Sequence, residues 1–252
     1  MENNPVITRR VGFRFLQRQF YRNLHSILPG PRNVRCNLCG WSGRAFFDRG
    51  DAYGGLYRNS TCPSCHSQPR HRSFRIILEK ILPQGRTIKF LHFAPEPCIS
   101  GYLKSKGNLD YLTVDIDPRN AMKREDITDL SFQDCSFDFI MCSHVLEHVE
   151  DDLKAINELY RVLKPGGASV INVPIDYTRE KTFHDSAIKS PHERTKAYWQ
   201  WDHLRLYGRD FPEKLKAAGF YEGADSIHVD LRPEDITYFG LLDTPIHICR
   251  KT

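Results

Sequence analysis

No apolar stretch in this 252-residue sequence approaches the ~18 residues that a membrane-crossing helix needs, so a helical membrane span is excluded. A secretory leader is not legible either. The first apolar residues are broken up by Arg9, Arg10, Arg14 and Arg18, which points to a cytoplasmic protein. Acidic residues are scarce at the start: residues 1–86 hold four Asp/Glu against fifteen Lys/Arg, whereas residues 87–252 hold 27 against 21. The basic character therefore belongs to the N-terminal third. It favours anionic partners such as RNA, an anionic membrane surface or a phosphorylated substrate, or else forms a solvated face beside an acidic main domain. Wholesale disorder is excluded by a composition that is 40% apolar and 27% charged. Disulfides are disfavoured in a reducing compartment, so the eight cysteines point instead to a bound metal.

The basic third divides in two. Over residues 5–28, Val11, Phe15, Leu16, Phe20, Leu24, Ile27 and Leu28 recur at near-helical spacing between arginines. This predicts a basic amphipathic helix, docked on the main domain or lying on an anionic membrane surface, with the segment 1–31 closed by Pro29, Gly30 and Pro31. Residues 32–69 hold Cys36-x2-Cys39 and Cys62-x2-Cys65, separated by 22 residues. Two residues between thiols let both sulfurs of a turn reach one ion, and two such knuckles complete a closed tetrahedral set. That is the pattern of structural zinc, with iron as the alternative for the same donors. Such a module either staples a segment too small for its own core or serves recognition. His66 and His71 are expected at the surface or as second-layer donors. A helix is predicted from Arg70 to Leu82, because Phe74, Ile77, Leu78, Ile81 and Leu82 share one face.

From residue 87 apolar runs alternate with helical patterns. Strands are predicted at 87–93, 111–116, 137–142 and 168–173, with helices at 99–106 and 151–164. The second helix would bury Leu153, Ile156, Tyr160 and Leu163. This alternation predicts an α/β domain with a mostly parallel sheet and ligands bound beyond the carboxyl ends of the strands.

Several stretches then coincide with one family. The run Ser136 to Val149 (Ser-Phe-Asp-Phe-Ile-Met-Cys-Ser-His-Val-Leu-Glu-His-Val) resembles the fourth motif of class I methyltransferases, which use S-adenosylmethionine. Leu159 to Gly167 is similar to the helix end before their fifth strand, and Leu112 to Pro118 resembles their second strand with its acidic tip. Glu125-Asp126-Ile127 resembles the turn after the third strand, and His203 to Phe211 and Leu215 to Phe220 resemble the approach to the last two strands. The resemblance, closest to methyltransferases of type 11, spans about residues 87–252. It implies a Rossmann-like, seven-stranded, mostly parallel sheet with helices on both faces over residues 70–252, beside the small N-terminal zinc module.

The resemblance further implies a cofactor site at Asp115 and Ile116, Asp126 and Ile127, and Ser143 and His144. Asp115 would take the ribose hydroxyls and Asp126 the adenine amine; Asp117 reads as a helix N-cap before Pro118. One departure stands out. The family's first strand ends in an acid and a glycine-rich turn, whereas here the chain reads Phe90-Leu91-His92-Phe93-Ala94-Pro95-Glu96-Pro97, with no glycine before Gly101. His92 falls where that acid would be. Ala94 is small enough for close approach, and Glu96 is the candidate for the cofactor's amino group. A domain that has lost its cofactor would read the same way.

His144, His148 and His203 are candidate general bases. Residues 174–206, which include Trp199, Trp201, Arg194 and Arg205, are expected to form a lid or acceptor site, with the arginines available to a phosphate. The expectation is an S-adenosylmethionine-dependent enzyme that O- or N-methylates a small molecule or glycan. It would be cytoplasmic, or peripheral to the inner membrane surface through residues 5–28. The rival readings are an RNA methyltransferase that grips RNA with its zinc module, and a non-catalytic zinc-ribbon protein with a degenerate domain.

Overall fold

The computed structural model describes residues 20, 23–24, 26–50, 56–225, 231–241 and 245–252. The basic helix expected over 5–28 lies almost wholly outside the described residues. Among the described residues no helix is long and apolar enough to cross a membrane. The chain forms two compact units, residues 1–81 with 227–244 and residues 82–226 with 245–252. The helix after the cysteines thus groups with the N-terminal unit, whereas the sequence alone suggested that the main domain begins at residue 70.

In the first unit, β1 (Val34–Arg35) pairs with β2 (Ser42–Gly43), and β3 (Phe47–Gly50) pairs with β4 (Leu56–Thr61), both antiparallel. Helix α1 spans Pro69–Ile81 and buries Phe74, Ile77 and Leu78, the face that the spacing predicts. A small core of Val34, Cys36, Phe46 and Cys62 lies beneath the cysteine turns. Arg72 is fully buried. Its guanidinium donates to the carbonyl oxygens of Ser60, Ser67, Phe239 and Gly240 and lies 4.0 Å over the Phe46 ring.

The second unit is built on one sheet. Its elements are β5 (Ile88–Phe93), α2 (Pro97–Lys104), β6 (Leu109–Asp115), β7 (Lys123–Arg124), β8 (Phe137–Ser143), α3 (Asp152–Val162), β9 (Leu163–Asn172), α4 (Pro191–Tyr198), α5 (Phe211–Ala217), β10 (Tyr221–Asp225) and β11 (Ile246–Arg250). The strand order is β10-β11-β9-β8-β5-β6-β7. Strands β7, β6, β5, β8 and β9 pair parallel, and β11 alone runs the opposite way, antiparallel to both of its neighbours β9 and β10. The seven-stranded, mostly parallel α/β sheet is therefore present. Strands β5 and β8 read as near-continuous apolar runs because both faces are covered, as parallel strands require.

Helix α3 turns a different face inward from the one expected. Ala155, Ile156, Leu159 and Val162 are buried, while Leu153 is exposed. The cause is polar. Asp152 enters the interior, pairs with Arg205 at 3.2 Å and accepts from the Tyr207 hydroxyl at 3.0 Å, which sets the rotation of the first turn. Asp151 caps the helix by accepting from the Lys154 N–H. After α5 the chain turns at Gly219, whose φ of +101° lies where only glycine is comfortable. A Cβ there would stand 2.9 Å from the Tyr160 ring. Gly219→Ala is expected to cost about 1–3 kcal/mol, read as a lowered melting temperature in thermal unfolding.

Candidate functional site

The sheet reverses its strand order at β5: the chain passes first to β6 on one side and then to β8 on the other. Ligands of open α/β sheets bind at such a switch point, outside the carboxyl ends of the strands. A cleft of about 780 Å³ opens there, lined by Phe93 and Ala94 after β5, Val114 to Ile116 at the tip of β6, and Glu125 to Thr128 after β7. His144, Val145 and the stretch His148 to Asp151 close it after β8, joined by Lys154 and Asp202.

The turn after β5 manages without glycine by placing Ala94 itself in the left-handed region, at φ +45°, with its N–H donating to the Val114 carbonyl. His144, just past β8, does the same at φ +56°. A left-handed non-glycine residue costs ~1 kcal/mol or more, and two of them facing one cleft mark a backbone held for a purpose.

Asp115 stands on the cleft wall at the end of β6, with one carboxylate oxygen accepting from the Asp117 N–H at 2.8 Å. Asp126 takes both the N–H and the hydroxyl of Thr128 on a single oxygen. These bonds hold its carboxyl below the usual carboxylate range. Ile116 and Ile127 offer apolar surface beside them. Burial alone would raise the Glu125 carboxyl, but hydrogen bonds from Lys123 and Ser131 carry it below its ordinary value. Asp115, Glu125, Asp126, Glu150, Asp151 and Asp202 face the cleft, against one lysine, so its wall is strongly acidic.

Other predicted residues lie off the wall. His92 is fully buried within β5, its ring bonded to the Tyr111 hydroxyl at 2.7 Å and to Glu96 at 3.2 Å. Burial pushes the Tyr111 hydroxyl up to about 12. Glu96 therefore turns toward His92, at the N-cap of α2. Ser143 is buried, and its hydroxyl has no partner among the described residues. Asp117 does not cap a helix, because a turn follows it; its carboxylate holds the Arg119 N–H and guanidinium instead. Arg205 is not available to a phosphate. It is buried, bonded to the carbonyls of Leu146 and Glu150 and paired with Asp152.

The three histidines named as bases do converge. After β8 a 3-10 turn, Leu146–His148, swings Glu147 inward until it is fully buried. The Leu204 N–H donates to the Glu147 carbonyl and pins the segment that carries His203 against it. His144 Nδ1 lies 3.0 Å from Glu147 Oε1, and His148 Nδ1 lies 3.4 Å from Asp202. His203 Nδ1 meets the Tyr198 carbonyl at 2.8 Å, and the rings of His148 and His203 stand edge-on at 4.8 Å. Burial lowers the His203 pKa. Burial also opposes ionisation of Glu147, yet the hydrogen bond with His144 brings its carboxyl down overall. Glu147 and Asp202 were not singled out from the sequence. The readable signal was the spacing His144-x-x-Glu147-His148, which places three chemistry-bearing groups on one tight turn.

In the other unit, Cys36, Cys39, Cys62 and Cys65 bring their sulfurs within 4.8 Å of one another. The two turns share one backbone design. Cys36 and Cys62 donate to the carbonyls of Trp41 and Ser67, and the N–H groups of Gly40 and His66 donate back to Cys36 and Cys62. Gly40 and His66 occupy the equivalent left-handed positions, which leaves His66 exposed and outside the sulfur cluster. His71 is buried and accepts from the Gln68 N–H. Hydrogen bonds from Cys62 and Cys65 pull the Cys36 thiol far below its ordinary range.

Comparison with known proteins gives a consistent result. Residues 99–171 match a methyltransferase domain family, from α2 through most of β9. The demethylmenaquinone methyltransferase of Clavibacter sepedonicus is 33% identical over 120 residues, covering 41% of this chain and 48% of that protein. The chloroplastic 2-phytyl-1,4-beta-naphthoquinone methyltransferase of Arabidopsis thaliana is 51% identical over 41 residues, 16% of each chain. The chain thus spans about half or less of these curated relatives. Among solved structures, the [4+2]-cyclase SpnF matches with a TM-score of 0.51 at 15% identity, covering 72% of this chain and 81% of the other, a likeness of fold alone. The matched residues lie in the second unit, whose seven-stranded, mostly parallel sheet is the architecture that the sequence resemblance implies.

Proposed function

We propose that this protein transfers a methyl group from S-adenosylmethionine to an oxygen or nitrogen of a small-molecule acceptor. The observation that carries the reading is Asp115, a carboxylate at the tip of the second parallel strand, on the wall of a cleft at the switch point. When bound, the cofactor supplies a methyl group on a positively charged sulfur.

The residues on the wall suit that group. The free oxygen of Asp115 can accept the ribose hydroxyls, and Asp126 the adenine amine, with Ile116 and Ile127 against the flat base. The left-handed Ala94 turn keeps the floor low for the amino-acid portion. Six carboxylates around the cleft favour a cationic donor and disfavour a phosphate-rich acceptor. That supports a small neutral or cationic acceptor over RNA at this cleft. The relatives named for demethylmenaquinone and for a phytyl-bearing naphthoquinone have acceptors that likewise are not phosphate-rich.

Held by Asp115 and Asp126, the cofactor would present its methyl in line to an acceptor atom seated in the same cleft. The acceptor's proton leaves to a base. His144 suits this role: with Nδ1 directed at Glu147, its Nε2 carries the lone pair on the cleft side. The four thiols suit zinc as a structural ion, because a closed set of sulfurs leaves no position for chemistry. Residues 32–69 would then form a zinc module ahead of the transferase domain, with residues 174–206 bordering the acceptor.

The test is calorimetric titration with the demethylated cofactor product, followed by transfer of labelled methyl to candidate acceptors. Micromolar-range binding is expected, and Asp115→Ala should weaken it at least 30-fold, the equivalent of ~2 kcal/mol. Unchanged affinity in that variant would refute the ribose assignment. Labelling of RNA in preference to small molecules would favour the rival enzyme.

A further inference from the structure

We propose that Glu147, His148 and His203 form a second metal site, separate from the four thiols, which takes a divalent first-row ion at the edge of the cleft. One ligand atom from each of the three lies within 4.8 Å of the others. Two imidazoles and a carboxylate from one side are the donor set of open metal sites, which leave positions for a further oxygen ligand.

A second observation points to a cation independently of this spacing. Glu147 is fully buried, and its Oε2 has no hydrogen-bond partner among the described residues. A buried carboxylate oxygen left bare is strongly disfavoured, and a cation is the natural remedy. The remaining atoms of the cluster are already held. Glu147 Oε1 is engaged by His144, His203 Nδ1 by the Tyr198 carbonyl, and His148 Nδ1 by Asp202. Each ring therefore has its outer nitrogen fixed and its Nε2 free to bind, which is how second-layer partners orient metal-ligating histidines. Bonds of ~2.0–2.2 Å to one ion would draw the three ligands closer together, and the partly exposed His148 ring has room to turn.

His148 and Asp202 also line the cleft, so an ion here would present its open positions to whatever occupies it. On the methyl-transfer reading, such an ion would hold an acceptor oxygen and ease the loss of its proton. Metal binding itself does not depend on that reading and is measured without cofactor or acceptor.

The experiment is Mn2+ titration of the full chain with its thiol-bound zinc left in place, following the loss of the free-Mn2+ electron paramagnetic resonance signal. One Mn2+ per chain is expected. Glu147→Gln should weaken binding at least tenfold, and so should His148→Asn, which alters a partly exposed ring and is the variant expected to stay folded. Lys154→Ala, on the same cleft wall, should bind as the parent does. Absence of Mn2+ binding, or equal affinity in a folded His148→Asn variant, would overturn the proposal. Because calorimetry with the demethylated cofactor reports on Asp115 separately, failure of either site is visible on its own.

Discussion

Removing the ion from the four thiols, by a strong chelator or by Cys62→Ser, is expected to unfold the N-terminal unit while the seven-stranded sheet persists. Two of the four cysteines, Cys36 and Cys62, are buried beneath the hairpins, while Cys39 is exposed. With Val34 and Phe46 the buried pair make up the small cluster under the two cysteine turns, apart from the face that α1 buries. So little apolar area cannot offset the chain entropy of two short hairpins and their turns. On the zinc reading proposed for the four thiols, the binding energy of the ion, ~10–16 kcal/mol in small domains, would become folding energy. The measurement is metal content, one zinc per chain, alongside the emission of Trp41, which packs on Phe46 at 5.7 Å. Trp199 and Trp201 are 44% and 56% exposed, so blue-shifted emission reports on Trp41. If that emission stayed unchanged after complete metal removal, the thiol cluster would not be what holds the unit together.

Arg72→Met should destabilise the same unit by about 3–5 kcal/mol, even though it replaces a charge with an apolar chain of similar reach. The guanidinium is fully buried and bonds to four carbonyls that are far apart in sequence: Ser60 and Ser67 beside the second cysteine turn, and Phe239 and Gly240 beyond residue 230. Methionine fills the volume but donates nothing, so several carbonyls would be left without a donor. Lysine would satisfy fewer of them, because only a guanidinium offers five donors in one plane. Denaturant unfolding of the full chain should show the loss as an earlier first transition, with the transition of the sheet unit unmoved. A single unshifted transition would show that Arg72 does not stitch the unit.

Much of this was legible in the sequence, because the signals were periodic or strictly spaced. The strands around Leu91, Ile140 and Val170 announce themselves as apolar runs, and the cysteine pairs as a metal motif. What escaped notice were features set by tertiary polar contacts. Leu153 looked like a core residue until Asp152 proved to turn inward to Arg205 and Tyr207. Arg205 looked like a phosphate ligand but spends its donors on the chain itself. His92 looked like a cofactor residue, but it packs beneath the cleft against Tyr111 and Glu96. Glu147 read as one more charged residue on a turn. Only its burial between two histidines reveals it, and burial of a glutamate is not written in local spacing.

The two units alternate along the chain. The chain leaves the sheet after residue 226, adds residues 227–244 to the cysteine unit, and returns to the sheet with Ile246–Arg250. That returning strand seats between β9 and β10, so β10 has no neighbour until it arrives. No single cut can liberate either unit intact, and on the ribosome the sheet stays open on that side until residue 250 has emerged. Any excised version of the sheet unit would need a bridge joining residue 226 to 245, not merely a new start at residue 82.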